Sequence, residues 1–213
     1  MTPRLRLAGA MAVVALIVVT GCSAGSGENG SVAAVATNPS GFHGIAIQQP
    51  YPLPDVTFRD TSGQPFNLAS DAPSPVTLVF FGYTHCPDLC NLVLANVAAA
   101  LRRSDPGVRS QVRLLFISTD PDRDTPSILR GYLDRFDPSY VGLRAPEATM
   151  EATASALHIG YAGKQTVAGG GYEVTHGTQI TAFRGGTARV VWMADTPVRD
   201  MRTDLARLAK ARS

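Results

Sequence analysis

The sequence predicts an α/β protein in which a central mixed β-sheet is flanked by helices on both faces. Short apolar runs, with the length and β-branched composition of buried strands, alternate with segments whose apolar residues recur at helical spacing. The chain then closes with a predicted hairpin at 180–183 and 189–193 and an amphipathic helix. With 213 residues, it is long enough for one domain with a sizeable core.

The predicted elements follow one another without an internal repeat. They are, in chain order, an N-terminal hairpin extension (56–58 and 65–68), a buried strand (76–81), a helix that opens at Cys86, a buried strand (112–118), a helix that starts at Thr125-Pro126, a short edge strand (141–143), a helix (147–157), a glycine-rich mobile loop (164–173), and the closing hairpin and helix.

The start of the chain is typical of an export signal. Arg4 and Arg6 provide a short positive region, and the apolar run 7–19 is shorter than a membrane span. The run ends in Val19-Thr20-Gly21-Cys22, small residues before a cysteine as in a bacterial lipobox. This predicts a lipidated Cys22 at the mature N-terminus, and an ordinary cleaved signal with an incidental cysteine is the alternative.

These features divide the chain into a lipoprotein signal peptide (1–21), a flexible membrane tether rich in Gly, Ser, Ala and Asn (22–50), and one domain (51–213). Without the two arginines of the signal peptide, the formal net charge falls from +2 to about zero. A nearly neutral domain is not typical of nucleic-acid binding proteins, so we expect no nucleic-acid partner.

Two cysteines stand where a predicted buried strand gives way to a helix. Pro87 suits the first position of a helix, so Cys86 is expected to cap the helix and Cys90 to lie one turn along the same face. Their Cα atoms would then be roughly 6 Å apart, a spacing that allows a disulfide or a shared metal ion. The helix N-terminus is expected to lower the thiol pKa and so to favour thiolates.

A purely structural disulfide between Cys86 and Cys90 is the plainer interpretation. It would stabilise the fold little, because the benefit grows with the length of the closed loop and only three residues lie between the cysteines. A reactive dithiol at the start of the first helix after a buried strand instead predicts a thioredoxin-like fold.

An imidazole commonly completes a site of soft thiolates that bind Cu(I) or zinc. His176 lies between the glycine loop and the closing hairpin, a connection that returns beside the active-site helix in a thioredoxin-like fold. We therefore expect His176 to be the third ligand, and a hydrogen-bonded loop histidine is the alternative. His85 is expected to point away from the cysteine face, His158 to lie at a helix end, and His43 to be a solvated residue of the tether.

Two segments resemble the signatures of a known family. The segment 80–90, FFGYTHCPDLC, is similar to the first signature of the Sco/SenC family, and the segment 116–126, FISTDPDRDTP, is similar to the second. His176 matches the late histidine of that family, and the resemblance covers residues 50–195. The chain departs from the family pattern at Asn91, where proline is usual, and beside His176, where Asp-His-Ser is usual.

This resemblance implies a membrane-tethered, thioredoxin-like protein that binds copper, Cu(I) or Cu(II), through Cys86, Cys90 and His176. It further implies a copper metallochaperone that serves assembly of the CuA centre of cytochrome c oxidase, with oxidase subunit II as the copper acceptor. We accordingly expect a monomer that is anchored by lipid to the extracytoplasmic side of the cell membrane.

Other functions would use the same two sulfurs. A thiol–disulfide oxidoreductase, with Cys86 and Cys90 as its catalytic pair, would reduce cysteines of the oxidase subunit or of another exported acceptor without needing His176. A peroxidase of similar fold is disfavoured, because that chemistry does not call for a second thiol one helical turn away. Zinc would require a fourth ligand, for which the sequence offers no obvious candidate.

Overall fold

The structure, a computed structural model, describes residues 40–72, 74–87 and 89–210. The predicted signal peptide, the lipidation site Cys22 and most of the predicted tether lie outside the described residues. In chain order the elements are β1 (Ile45–Ala46), β2 (Thr57–Asp60), β3 (Pro65–Asn67), β4 (Val76–Gly82), α1 (Leu89–Arg102), α2 (Pro106–Arg109), β5 (Val112–Ser118), α3 (Pro126–Asp134), β6 (Val141–Arg144), α4 (Glu147–Ala156), β7 (Tyr161–Thr166), β8 (Tyr172–His176), β9 (Ile180–Arg184), β10 (Thr187–Trp192) and α5 (Val198–Lys210). Within this part of the chain, no helix is both long enough and apolar enough to span a lipid bilayer.

Eight strands form one mixed sheet in the order β1-β10-β9-β4-β5-β6-β2-β3. The central strands β4, β5 and β6 run parallel, and the outer strands pair antiparallel. The predicted edge position of residues 141–143 is wrong, because the N-terminal hairpin β2–β3 adds itself to β6. Strand β2 pairs there through Arg59 with Arg144 and through Asp60 with Leu143.

The sheet buries apolar side chains on both faces. Every residue of β4 is buried, and its side chains alternate between two core clusters. Phe80 belongs to the cluster that contains residues of α1, α3 and α5, and Phe81 belongs to the cluster that contains residues of α4. The predicted mixed sheet with helices on both faces is therefore confirmed, and Cys90 of α1 lies inside the first cluster.

The domain begins before the expected boundary at residue 51. Strand β1 pairs with β10, and the chain just before it is held by the buried carboxylate of Asp204 in α5. This carboxylate accepts hydrogen bonds from the backbone N–H groups of His43, at 2.8 Å, and Gly44, at 2.9 Å. The interpretation of the last tether residues as a flexible segment is therefore wrong, because strand pairing and these hydrogen bonds bind them to the domain.

Residues 164–173, which composition predicts to be a mobile loop, lie mostly in a hairpin. Strands β7 and β8 pair antiparallel as a separate two-stranded sheet, and the loop is confined to a turn at 167–171. Three glycines of this turn, Gly169, Gly170 and Gly171, have φ values of 93°, 95° and 89°, which other residues rarely adopt. His176 is consequently the last residue of a strand and not a loop residue.

Candidate metal centre

The two cysteines lie at the carboxyl end of β4, where the chain leaves the sheet to start α1. The N–H of Cys86 donates to the carbonyl oxygen of Tyr83 at 3.2 Å and closes the turn that leads out of the strand. Helix α1 begins at Leu89, and the N–H of Cys90 donates to the Sγ atom of Cys86 at 3.4 Å. The sulfur of Cys86 thus accepts a hydrogen bond from the first turn of the helix. The expectation that Cys86 caps the helix and Pro87 opens it is nevertheless wrong, because both residues belong to the turn that precedes Leu89.

Cys86 and Cys90 carry separate thiols that differ in exposure. Cys90 is fully buried, whereas Cys86 is half-buried. The pKa of the Cys90 thiol is raised far above its ordinary value of 9.0, first because the thiol shares a hydrogen bond with Cys86 and second because it is buried. The expectation that the helix N-terminus lowers the thiol pKa is therefore wrong for Cys90, where these two effects outweigh the helix dipole.

The hairpin β7–β8 brings His176 to the dithiol. The Nε2 atom of its ring lies 4.0 Å from the Sγ atom of Cys90, and its Nδ1 atom lies 2.8 Å from the carbonyl oxygen of Gly177. Because a carbonyl oxygen only accepts hydrogen bonds, Nδ1 carries the proton of the neutral ring and Nε2 presents its lone pair towards Cys90. The ring also packs edge-on against Tyr83, with 5.8 Å between ring centroids. The backbone carbonyl thereby selects the tautomer that a metal ligand needs.

These side chains fit a soft metal ion after a local adjustment. A sulfur and an imidazole nitrogen bound to one ion lie roughly 3.5–4.3 Å apart, from a tetrahedral to a linear arrangement, given bond lengths of about 2.3 and 2.0 Å. The 4.0 Å between Cys90 and His176 falls in this range. In the described part of the chain, however, no three His, Cys, Asp or Glu side chains already have the spacing of a metal site. A three-ligand site therefore requires a side-chain adjustment, for which Cys86 is the less buried of the two cysteines.

The other three histidines have different surroundings. His85 is exposed, and its Nδ1 atom lies 3.1 Å from the hydroxyl oxygen of Thr84. His158 follows the end of α4 with a φ of 56°, and its ring packs edge-on against Tyr51. The imidazole of His43 is exposed, and its Nδ1 atom lies 3.8 Å from a carboxylate oxygen of Asp200 in α5. The prediction that His158 lies at a helix end is confirmed.

A family model described as SCO1/SenC matches residues 48–210, which is most of the chain. The chain belongs to the SCO1/SenC family. The resemblance seen in the two signatures is therefore confirmed, and the thioredoxin-like fold is confirmed by Sco structures that superpose on most of the domain.

This SCO1/SenC chain is 32% identical to the mitochondrial protein SCO2 of Saccharomyces cerevisiae over 102 residues, which is 48% of this chain and 32% of the yeast protein. The apo Sco1 protein of Thermus thermophilus matches with a TM-score of 0.70 at 29% identity, covering 78% of this chain and 96% of that chain. ScoI of Bradyrhizobium japonicum, solved with copper bound, matches with a TM-score of 0.62 at 28% identity, covering 77% and 99%. For the first curated relatives, the match spans between 32% and 60% of their length.

One residue of the second signature supports the cysteine turn of this SCO1/SenC protein, although the sequence pattern assigned it no role. Asp124 is fully buried, and its carboxylate accepts hydrogen bonds from the hydroxyl of Thr84 at 2.6 Å, from the N–H of Thr84 at 3.1 Å and from the hydroxyl of Ser118 at 2.6 Å. Burial raises the pKa of Asp124, and these hydrogen bonds oppose that rise. Asp124 therefore fixes the backbone two residues before Cys86; its only signal in the sequence was the signature itself.

A second unassigned residue is Tyr132 of α3. The residue is 4% exposed, and its hydroxyl has no hydrogen-bond partner among the described residues. Burial raises the pKa of this hydroxyl, and negative charge on Cys90 and Cys86 raises it further. Tyr132 thus places a buried, unpaired hydroxyl within electrostatic range of both sulfurs.

Proposed function

We propose that this protein is a membrane-anchored copper metallochaperone that binds copper through Cys86, Cys90 and His176. The observation that carries the proposal is the 4.0 Å approach of the His176 Nε2 atom to the Cys90 Sγ atom, with the Nε2 lone pair directed at the sulfur. Thiolates are soft ligands that select Cu(I), and an added imidazole supports Cu(II) as well. The related ScoI protein solved with copper bound supports the choice of metal.

Loading copper requires both thiols to lose their protons. The proton of Cys90 is the harder one to remove, because its pKa is raised by Cys86 and by burial. Copper is expected to reach the site from the side of Cys86 and His176, since these two side chains are half-buried and Cys90 is fully buried. The same accessible side is the one from which an acceptor protein would withdraw the metal.

The acceptor in this proposal is subunit II of cytochrome c oxidase, and the delivered copper serves its CuA centre. A lipid on Cys22 would hold the chaperone at the extracytoplasmic face of the membrane in which the oxidase is assembled. Two or more acyl chains give lasting attachment, which a single chain does not.

Copper analysis of the full chain in detergent tests the proposal. After reduction and loading with Cu(I), we expect one copper ion per wild-type chain and none in a variant that carries Cys86→Ser and Cys90→Ser. The His85→Ala variant is the matched control, because His85 is next to Cys86 in sequence but bonds to Thr84. Equal copper content in the wild type and the double-serine variant would overturn the proposal.

A thiol–disulfide oxidoreductase is the second candidate function, and the unequal exposure of the two cysteines favours it. The half-buried Cys86 is placed to form a mixed disulfide with a partner, and the buried Cys90 is placed to resolve that intermediate. This reaction does not use His176. A His176→Ala variant that keeps full cellular activity would favour the oxidoreductase over the chaperone.

A further inference from the structure

We propose that the loop formed by residues Asp120–Asp124, which we call the brace, sets the position of His176 relative to Cys90 by holding Tyr172 of strand β8. Arg123 and Tyr172 are then positioning residues of the candidate metal centre, and the proposal rests on the copper function proposed above. Neither residue is a ligand, and both act through the placement of His176.

One end of the brace holds the cysteine side of the site. The carboxylate of Asp124 accepts hydrogen bonds from both the N–H and the hydroxyl of Thr84, two residues before Cys86. The brace also closes on itself, because the N–H of Asp124 donates to the carbonyl oxygen of Asp120 at 2.9 Å. The position of this end is therefore coupled directly to the turn that carries Cys86.

The other end of the brace holds the histidine side of the site. The hydroxyl of Tyr172 donates to the carboxylate of Asp120 at 2.9 Å. The guanidinium of Arg123 donates to the backbone carbonyl oxygen of Tyr172 at 3.1 Å and lies over the Tyr172 ring, 3.9 Å from its centroid. Arg123 and Asp120 are themselves joined by an ion pair. The hydroxyl, the ring and the carbonyl of Tyr172 are thus all fixed by two residues of the brace.

Burial strengthens the hydrogen bonds that Asp120 and Asp124 accept. Asp120 and Asp124 are both 0% exposed, and hydrogen bonds to charged groups are stronger where water is excluded. A further contact outside this core joins Lys164 of β7 to the exposed Asp122 at 2.7 Å. It is weaker in effect, because water screens exposed ion pairs.

Strand β8 connects Tyr172 to His176, so the position of Tyr172 influences the position of His176. Tyr172, Val174 and His176 are alternate residues of one strand, so their side chains share a face, and the span from Tyr172 to His176 is about 13 Å. Val174 on this face is 4% exposed. A displacement of Tyr172 therefore tilts the same strand face that presents the His176 ring.

The turn at the far end of the hairpin offers no competing anchor. A Cβ atom added to Gly169, Gly170 or Gly171 would meet no atom within 4 Å, so these three glycines of the turn have open space beside them. At the near end, the N–H of Gly177 donates to the carbonyl oxygen of Gly160 at 2.7 Å. The hairpin is thus held beside His176, by this bond and by the hydrogen bond of Tyr161 to Glu147, and again at Tyr172, where the brace provides the attachment.

Two conservative substitutions test the brace, together with a matched control. Tyr172→Phe removes the hydrogen bond to Asp120 but keeps the ring, and Arg123→Lys keeps the charge but loses the planar group that stacks and donates in two directions. Tyr140→Phe is the control, because it removes a buried tyrosine hydroxyl that has no hydrogen-bond partner among the described residues and that belongs to neither the hairpin nor the brace.

The first measurement uses the reduced full chain in detergent without metal, and records the ring resonances of His176 by NMR. We expect Tyr172→Phe and Arg123→Lys to shift or broaden the His176 signals, while those of His85 and His158 stay in place and Tyr140→Phe has no effect. Unchanged His176 signals in both brace variants would overturn the proposal. This readout does not depend on copper, so it remains decisive if the copper function itself fails.

The second measurement loads Cu(II) and follows its sulfur-to-copper absorption band and its loss to a chelator. Loss from Tyr172→Phe is expected to be about tenfold faster than from the wild type, as for the loss of one hydrogen bond to a charged group. The band should shift, and the rate at which the Cys86–Cys90 disulfide is reduced should stay unchanged. Wild-type copper loss in both brace variants would overturn the proposal, whereas a wild-type chain without copper would refute the proposed function and leave the NMR result to decide on the brace.

Discussion

The Nε2 atom of His176 lies 4.0 Å from the Sγ atom of Cys90, although the two residues are 86 positions apart in the chain. Cys90 is buried at the start of α1, and His176 ends a hairpin that forms no part of the main sheet. The contact between these two residues brings the β7–β8 hairpin against the start of α1, at the carboxyl end of β4. Ligands of α/β proteins characteristically bind at that end of the parallel strands.

Replacing His176 with alanine should separate copper binding from thiol chemistry. We expect His176→Ala to lose Cu(II) at least about tenfold faster than the wild type, because the imidazole is the donor that retains the oxidised metal. The Cys86–Cys90 disulfide should form and be reduced at the wild-type rate. Chelator competition and disulfide kinetics on one sample measure both properties, with His158→Ala as the control. Wild-type retention of Cu(II) and Cu(I) would remove His176 from the site.

Alkylation should modify Cys86 before Cys90. The thiolate is the reactive form, and the pKa of Cys90 is raised above 9.0 by the Cys86 hydrogen bond and by burial, so Cys90 remains a protonated thiol through the neutral range. Alkylation of Cys90 in the folded protein should therefore increase only as the pH rises above 9.0. Mass spectrometry of iodoacetamide-treated protein between pH 6 and pH 9 identifies the modified residue. Equal modification of both cysteines at pH 7 would contradict both the unequal exposure of the two thiols and the raised pKa of Cys90.

The carboxylate of Asp204 should matter for stability although it is far along the chain from the residues it holds. It accepts hydrogen bonds from the N–H groups of His43, Gly44 and the Trp192 indole. Asp204→Ala leaves these three donors unpaired, so the free energy of unfolding should fall by roughly 3 kcal/mol or more. Urea unfolding of this variant beside the exposed Asp195→Ala measures the difference. Equal midpoints would show that the segment before β1 does not contribute to the cooperative fold.

Lipidation at Cys22 is predicted from the segment Val19-Thr20-Gly21-Cys22. Cys22→Ser should release the protein from the membrane fraction or leave it as an unprocessed precursor of higher mass. Cell fractionation and intact-mass measurement test this directly. The Cys86→Ser variant is the control, because it removes a thiol from the domain and should leave both processing and membrane attachment as in the wild type.

Local elements were predictable because their signals lie within a few residues. The apolar run at 112–118 has the bounds of β5, and the Thr125-Pro126 pair marks the start of α3, where the Thr125 hydroxyl accepts a hydrogen bond from the N–H of Ile128. The proximity of Cys86 and Cys90 was likewise predicted from their short separation in the chain, although Cys86 lies in the turn before the helix and not on its first turn. Strand burial, helix capping and i to i+4 neighbours are all properties of short segments, so periodicity and turn chemistry reveal them.

The sequence by itself thus determined the two cysteines, the family and the order of the elements apart from β1, α2, β7 and β8. The tertiary structure decided which residues meet: that β6 is interior, that His43 and Gly44 bind Asp204, and that a hydrogen bond with Cys86 and burial together raise the pKa of Cys90. It also decided that Asp120 and Arg123 hold the strand that carries His176. The physical reason is that these contacts join residues far apart in the chain, and their burial depends on how whole layers pack. A pattern within a short segment of sequence indicates only how residues that are close together in the chain are arranged.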